Sequence, residues 1–402
     1  MSIPFGVWCI LDELEKAGYK AYIVGGAVRD MLMGKIPHDY DITTSAHPKD
    51  IKKVFKGKCV TFAEKYGTIT VRYGLEECEI TTFRKERGYS DSRHPEEVEW
   101  ADTVEEDLAR RDFTINAMAL SKDGDIIDPF GGEADIREGI VRCVGNPKDR
   151  FEEDNLRVLR AVRFVSEFPG VGFDPKTVRA IKDFKGKPLM LSAERIRDEF
   201  TKMLTSDRLG KILVIMHKLE ILGSVFPEIE NAMGSSKAEI LAVANAIDEH
   251  KIPNYTNLCW GMVLSLVEEP EKMAERLKFS NKDKEEILFY AKNKWASFSE
   301  DWEIRKFVAE HKKYVLKLLE MQKALGMGTD LWRKKCCEFL KDGSAISLPE
   351  LKITGGDLME LGYIGKEIAE KRLELYIEVL KSPELNSKDA LLGLAEEEME
   401  RD

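Results

Sequence analysis

The sequence predicts an α+β fold: a mixed sheet-and-helix head followed by an all-helical remainder. Three observations predict it. Strand-like and helix-like runs alternate through the first part of the chain. From about Arg150 onward strand signals fade, and amphipathic helical runs succeed one another across short polar breaks. The chain has 402 residues, 43% of them hydrophobic and 34% charged, enough to bury more than one core behind a charged surface.

In chain order, MSIPFGVWCILDELEKAGYK carries Asp12, Glu13 and Glu15 inside an apolar pattern. It reads as an amphipathic helix and not as a secretion signal. Residues 21–25 form a short apolar strand that ends on Gly25 and Gly26, and a helix-like run with Arg29 and Asp30 follows. Residues 68–73 and 78–83 are strand-like, separated by a turn over 74–77, and another apolar stretch ends over 126–128. In residues 107–121, Leu108, Phe113, Ile115, Met118 and Leu120 are predicted core, with Arg110, Arg111 and Asp112 at the head of the run. Residues 150–168 are predicted to form one helix. Val158, Leu159, Val162 and Val165 pack on one side, and Arg157, Arg160 and Arg163 lie on the other, leaving positive charge waiting for an anion. Later breaks fall near 169–175, 186–188, 234–237, 253–257 and 342–349. The C-terminal AEEEMERD reads as a solvated helix end.

Composition narrows the function. The longest apolar runs fall short of the roughly 18 residues that a membrane span needs. Seven cysteines at positions 9, 59, 78, 143, 259, 336 and 337 include no CxxC pair, which argues against a disulfide frame and a zinc site and suits a reducing cytoplasm. The net charge of −11 weakly disfavours a nucleic-acid partner unless basic residues cluster locally. His38-Asp39 is the single His-Asp dipeptide, and His47, His94, His217, His250 and His311 show no ligand spacing, so a phosphohydrolase built on His-Asp metal ligands is disfavoured.

The chemistry concentrates in VGGAVRDMLMGKIPHDYDIT. A strand, two glycines and a helix form a phosphate-holding geometry, because glycine lets the backbone approach closely and the first helical amides point at an anion. Arg29, one turn into the helix, can reach back over that turn toward phosphate oxygens. Asp39 and Asp41 project from one strand face and repel each other unless a cation sits between them, which suits Mg²⁺ shared with substrate phosphates. Glu79 on the strand 78–83 is either a third metal ligand or an exposed edge residue. Arg110 and Arg111 either bridge neighbouring acids or neutralise phosphate.

These segments together resemble a known family. GGAVRD with the DYD pair, RRDFTINA, EDNLR with LRAVRF, SAERIRDEF over 192–200 and, more loosely, LKITGGDLMEL over 351–361 resemble the class II tRNA nucleotidyltransferases, the bacterial CCA-adding enzymes and poly(A) polymerases. The resemblance is strong over 20–205 and weak beyond. It implies a polymerase-β-like nucleotidyltransferase head at 1–140, a helical neck for nucleobase recognition at 141–205, a helical body at 206–300 and a tRNA-binding tail at 301–402. It implies that Asp39 and Asp41 bind Mg²⁺ as the catalytic acids, with Glu79 as candidate ligand. Gly25, Gly26, Arg29 and Arg111 would hold the triphosphate, and Asp112 would touch the ribose. Asp154 and Arg157 would read the base, supported by Arg160 and Arg163. The partners implied are the tRNA 3′ end, with CTP and ATP as substrates, and neither a membrane nor an obligatory protein partner.

The base reading has a physical basis. Cytosine and adenine both present an exocyclic amine beside an unprotonated ring nitrogen, matching a carboxylate and an arginine, whereas uracil and guanine present the reverse. A residue pair can thus select C and A without a template strand. Residues 84–100 resemble the family's flexible loop, with Ser92 where a frequent family form has Gly; its presence favours full CCA addition or A-only addition. The alternatives are a poly(A) polymerase, a small-molecule nucleotidyltransferase and a non-catalytic RNA-binding protein. The long helical remainder and the Asp154–Arg157 pair speak against the second, and both acids against the third. Trp332-Arg333-Lys334-Lys335 and residues 366–372 are basic stretches open to phosphate. The acidic total implies a small phosphate footprint; a grip on phosphate nonetheless makes tRNA affinity fall as salt is raised, and affinity that stays level from low to high salt would contradict it.

Overall fold

The computed structural model describes residues 2–63, 67–74, 76–89, 95–167, 172–184, 191–206, 208–249 and 255–399. Ser92, His94, His250, the 186–188 break and parts of the breaks at 169–175 and 253–257 lie outside the described residues. Two compact units divide between Gly234 and Ser235.

In the first unit, strands β1 (Ala21–Val24), β2 (Tyr40–Thr44), β3 (Cys59–Ala63), β4 (Thr68–Tyr73), β5 (Glu76–Thr82), β6 (Arg84–Tyr89), β7 (Pro95–Trp100), β8 (Ala119–Leu120), β9 (Ile126–Ile127), β10 (Ile140–Val141) and β11 (Gly172–Phe173) are joined by helices α1 (Phe5–Lys16), α2 (Gly26–Leu32), α3 (Pro48–Val54), α4 (Val104–Ala109), α5 (Gly132–Glu138), α6 (Pro147–Glu153), α7 (Leu156–Glu167), α8 (Pro175–Lys182), α9 (Ala193–Leu204), α10 (Leu209–Lys218) and α11 (Leu222–Val225). Seven strands form a mixed sheet in the order β3-β4-β5-β2-β1-β8-β9. β2 and β5 are its parallel pair. β6 and β7 form a separate antiparallel ribbon.

Register divides the sheet's two faces. Leu120, Ile23, Ile42, Ile80 and Ile69 stand opposite one another across five strands, each at most 1% exposed. They pack with Val7, Ile10, Leu11 and Leu14 of α1 and Val28 of α2. One residue along each strand, side chains reverse to the other face. That neighbouring row reads Ala119, Val24, Asp41, Glu79 and Thr70. The same alternation that buries isoleucine therefore carries the acids outward together.

The helices start where capping chemistry directs. Asn146 accepts from the Lys148 amide ahead of α6, and Pro147 supplies a helical φ with no amide to satisfy. Asp174 and Ser192 cap α8 and α9 in the same way. The expected single helix over 150–168 is two. α6 ends at Glu153, Asp154 turns extended (φ −148°, ψ 105°), and α7 begins at Leu156. The Asp154 carboxylate accepts from the Leu156 amide, and the Asn155 side chain donates back to the Phe151 carbonyl, so the break is stabilised by its own side chains. The expected turn over 74–77 is shorter, with Glu76 and Glu77 already in β5.

α12 (Pro227–Glu249) carries the chain past the division, with Ser236 off the helical conformation. The break expected near 234–237 falls here, and the body expected at 206–300 straddles it. α10 explains why. Its Leu209, Ile212, Leu213 and Met216 are buried in the first unit, and Phe200 and Phe226 approach to 4.4 Å between ring centroids.

The second unit is helical in its described residues: α13 (Thr256–Leu264), α14 (Pro270–Arg276), α15 (Asn281–Asn293), α16 (Asp301–Ala324), α17 (Asp330–Asp342), α18 (Gly355–Glu360), α19 (Lys366–Lys381) and α20 (Lys388–Met399). Phe289, Tyr290, Phe307, Tyr314 and Trp332 form one aromatic core, and Leu358, Leu375, Tyr376 and Val379 lie in another. The basic run at 332–335 is largely structural. Trp332 is 1% exposed and donates to Gln322, Arg333 bonds Asp330 and the Met327 carbonyl, and Lys335 pairs with Asp301. Lys371 in the 366–372 stretch is buried beside Glu374.

Close approach in this unit yields a stability test. A Cβ on Gly261 of α13 would stand 2.5 Å from the Tyr290 Cβ and 3.0 Å from the Ile287 carbonyl oxygen of α15. Helix propensity alone would favour Gly261→Ala by about 1 kcal/mol. Overpacking costs about 1–3 kcal/mol, with backbone unable to yield, and should win. Urea unfolding should show net destabilisation; a gain would place α13 and α15 further apart than described.

Candidate active site

The acid-bearing face of the sheet gathers the site. β1 ends at Val24, opposite Asp41. Gly25 follows with φ 74° and ψ −134°, which suits no other residue type, and it caps α2. A Cβ on Gly25 would stand 3.0 Å from Arg111 Nη1 and 3.8 Å from Asp41 Oδ2. A guanidinium and a carboxylate thus flank an open backbone turn. At Gly26 the corresponding position lies 3.7 Å from Arg29 Nη2, so Arg29 folds back over the turn as its spacing suggested.

Asp41 and Glu79 are direct register partners on parallel strands, and both are exposed. Asp39 stands just before β2, and 85% of its side chain is open to solvent. β5 lies between β4 and β2, which removes the reading of Glu79 as an edge residue. Crowding by surrounding protein pushes the Asp41 carboxyl above its ordinary range; Asp39 adds to the rise and Arg111 opposes it. Glu79 is raised by desolvation, then by Asp41 and Asp39. Asp41 and Glu79 are thus both raised, by desolvation first and by neighbouring carboxylates second, the electrostatic signature of a place short of positive charge. Among the described residues no three His, Cys, Asp or Glu side chains close around a point as a metal cage. Two carboxylates completed by substrate phosphates and water is the arrangement Mg²⁺ favours, and this open donor set fits it.

Arginine flanks the acids. Asp107, fully buried on α4, accepts from Arg110 Nε (3.0 Å), the Thr43 hydroxyl (3.2 Å) and the Arg84 amide (3.3 Å), and faces Arg111 Nη2 at 3.5 Å. Burial alone would raise its pKa, yet Arg110 and Arg111 outweigh burial and hold the carboxyl down. Arg111 Nε is buried with no partner. A guanidinium with an orphaned donor beside a glycine turn is arranged for an anion that completes it.

The neck-side residues are engaged differently from the expectation. Asp154 is held by both terminal nitrogens of Arg195, at 2.9 and 2.8 Å. Arg157 donates to Glu153 (2.7 Å) and to the carbonyls of Arg150 and Arg110. Arg160 holds Asp112 (2.8 Å), and Arg163 holds the buried Glu199 (2.6 Å). The three arginines therefore each carry a carboxylate, and the uncompensated positive face expected on α7 is corrected. Asp112 also accepts from the Phe113 amide and Asn116. Its burial would raise its pKa, but Arg160 and Arg157 bring it down to about 2.

Sequence reading missed Asp107, Asn116, Arg195 and Glu199 as holders of these groups. The signal for Asn116 was local, four residues after Asp112. Asp107 was visible as an acid preceding two arginines. Arg195 and Glu199 lay in a segment whose meeting with α6 and α7 has no periodic signature.

Comparisons with known proteins agree with the geometry. The model of the poly A polymerase head domain matches residues 21–142, and that of a probable RNA and SrmB-binding site of polymerase A matches 170–233. A Leuconostoc mesenteroides protein named as a CCA-adding enzyme is 35% identical over 280 residues, covering 69% of this chain and 67% of the relative. A Lactobacillus helveticus protein of the same name is 50% identical over 194 residues, 48% of each chain. The matched stretch thus spans about half the length of several such relatives. The crystal structure of the Bacillus stearothermophilus CCA-adding enzyme in complex with CTP superposes with a TM-score of 0.84 at 29% identity, covering 100% of this chain and 99% of that one.

The low Asp112 pKa sets a pH dependence. A depressed carboxyl stabilises the fold above its unfolded pKa near 4, and that contribution is lost as pH falls toward about 2. Melting of the parent and of Asp112→Asn should differ by on the order of 2 kcal/mol more at pH 5 than at pH 2. A gap that stays constant over that window would show that Asp112 is not ion-paired in the folded chain.

Proposed function

Because the chain belongs to the family of CCA-adding enzymes, we propose that it adds C, C and A in turn to the 3′ end of tRNA from CTP and ATP in the cytoplasm, with pyrophosphate as product. The observation that carries the reading is the glycine turn of Gly25 and Gly26 set between Arg111 and Asp41, with Arg29 folded over it.

Asp39 and Asp41, with Glu79 beside them, would hold a divalent cation such as Mg²⁺, which when bound lowers the pKa of the RNA 3′ hydroxyl and offsets triphosphate charge. The backbone amides after Gly25 and the Arg29 and Arg111 guanidiniums bind and orient the triphosphate. Three of the five N–H groups of Arg29 bond Asp30 and Asn116, leaving two for phosphate. The RNA 3′ oxygen bonds to the α-phosphorus as the bond from that phosphorus to the β-bridging oxygen breaks. Asp112 touches the ribose. Asp154 accepts from the exocyclic amine of cytosine or adenine, and Arg157 donates to the neighbouring ring nitrogen, with Arg160 and Arg163 in support. Because Arg195 and Glu153 already fix Asp154 and Arg157, their spacing is set before the base arrives, and preorganised partners discriminate most strongly. The head and neck belong to residues 1–140 and 141–205, the body to 206–300, and the tail at 301–402 takes the tRNA.

The test uses tRNA transcripts ending before CCA, after C and after CC, with CTP or ATP supplied separately and products sized. CTP should extend the first two and ATP the third. Long adenylate tails on varied RNAs would identify a poly(A) polymerase instead, and extension of the third transcript alone an A-only enzyme. Asp39→Ala with Asp41→Ala should lower incorporation by ~1000-fold or more with the melting temperature kept. Incorporation at the parent rate would refute the assignment of the acids.

A further inference from the structure

Phe164 on α7 is 2% exposed and has an unusual set of neighbours. The guanidinium carbons of Arg163, Arg29 and Arg160 lie 4.3, 5.0 and 5.3 Å from its ring centroid. All three fall within the ~6 Å over which a cation is drawn to an aromatic face. The Phe113 ring meets it edge-on at 5.6 Å. Three cations gathered round one ring repel one another. Each carries a carboxylate in compensation: Asp30 on Arg29, Asp112 on Arg160 and Glu199 on Arg163.

The three do not come from one element. Arg160 and Arg163 belong to α7, whereas Arg29 belongs to α2 and folds over the Gly26 turn. A circuit joins the two helices. Arg29 Nη1 donates to Asn116 Oδ1 at 2.8 Å, Asn116 Nδ2 donates to Asp112 at 3.2 Å, and Asp112 accepts from Arg160 at 2.8 Å. The ring closes that circuit between Arg160 and Arg29. An apolar side chain of similar size would fill the space but offer no negative face to hold the guanidinium planes.

We propose that Phe164 is a positioning residue for nucleotide binding. Its π face holds Arg29 in the orientation that meets the triphosphate and ties that orientation to the helix carrying Arg157, Arg160 and Arg163. Phe164 itself touches no substrate. The inference rests on the reading above, in which Arg29 binds phosphate.

Fluorinated phenylalanines at position 164 of the full chain test it, because fluorine drains the face of the ring with little change in shape. CTP binding by calorimetry, KM and kcat for CTP on a tRNA transcript, and melting temperature are measured for one, two and three fluorines, with Phe164→Leu and Phe164→Tyr alongside. CTP affinity should fall and KM rise with each fluorine, to roughly tenfold at three, while kcat and melting temperature hold. Phe164→Leu should match the trifluoro variant, and Phe164→Tyr should stay near the parent. A KM that is flat across the series, or that tracks melting temperature and not fluorine number, overturns the inference. A parent chain that extends no tRNA at all defeats the functional reading instead, so the two failures are distinguishable.

Discussion

The site depends on strand register. β1, β2 and β5 are aligned so that Ile23, Ile42 and Ile80 share one row and Val24, Asp41 and Glu79 the next. A slip of one residue in β2 would bury Asp41 and expose Ile42, and the cost of an unpaired buried carboxylate makes that alignment untenable. Burial of the isoleucines thus sets where the acids stand. Gly25 can turn beside Asp41 only because β1 ends opposite it.

Charge organises what surrounds that row. Desolvation raises the Asp41 and Glu79 carboxyls, and the neighbouring carboxylates add to the rise. The arginines around them are each fixed by a carboxylate that lies off the acid row, Asp107 for Arg110 and Arg111, Asp112 for Arg160, and Glu199 for Arg163. Positive charge is therefore held near the acids without neutralising them. On the proposed reading, an incoming triphosphate with its cation would satisfy both halves, phosphate meeting the guanidiniums and the cation the carboxylates. The orphaned Nε of Arg111 is the local mark of that incompleteness.

Much of this was legible in the sequence. The strand expected over 78–83 is found as β5, and of the two aspartates expected on one strand face Asp41 lies in β2 while Asp39 stands just before it. Leu108, Phe113, Ile115, Met118, Leu120, Val158, Leu159, Val162 and Val165, all expected in the core, are buried. Gly-Gly before a helix with Arg29 correctly implied an arginine folded over a turn. The partnering of charges was not legible. Asp154 and Arg157 are three apart, which suggests a pair, yet Asp154 lies in a helix break and binds Arg195 from α9. No local period encodes a contact between residues 41 positions apart. Phe164 shows the intermediate case, because its spacing of four from Arg160 placed it on the arginine side of α7 while its apolar character pointed to the core. Arg29, 135 positions earlier, could not be foreseen on its ring.

On the proposed reading, the acid row and the glycine turn form one nucleotide-and-cation site. Anomalous scattering from crystals grown with Mn²⁺ and CTP tests it most directly. A manganese peak within coordination distance of both the Asp39 and Asp41 carboxylates, with the triphosphate lying against Gly25 and Gly26, is the expected result. Manganese bound at acids elsewhere on the chain, with that turn empty of phosphate, would contradict it.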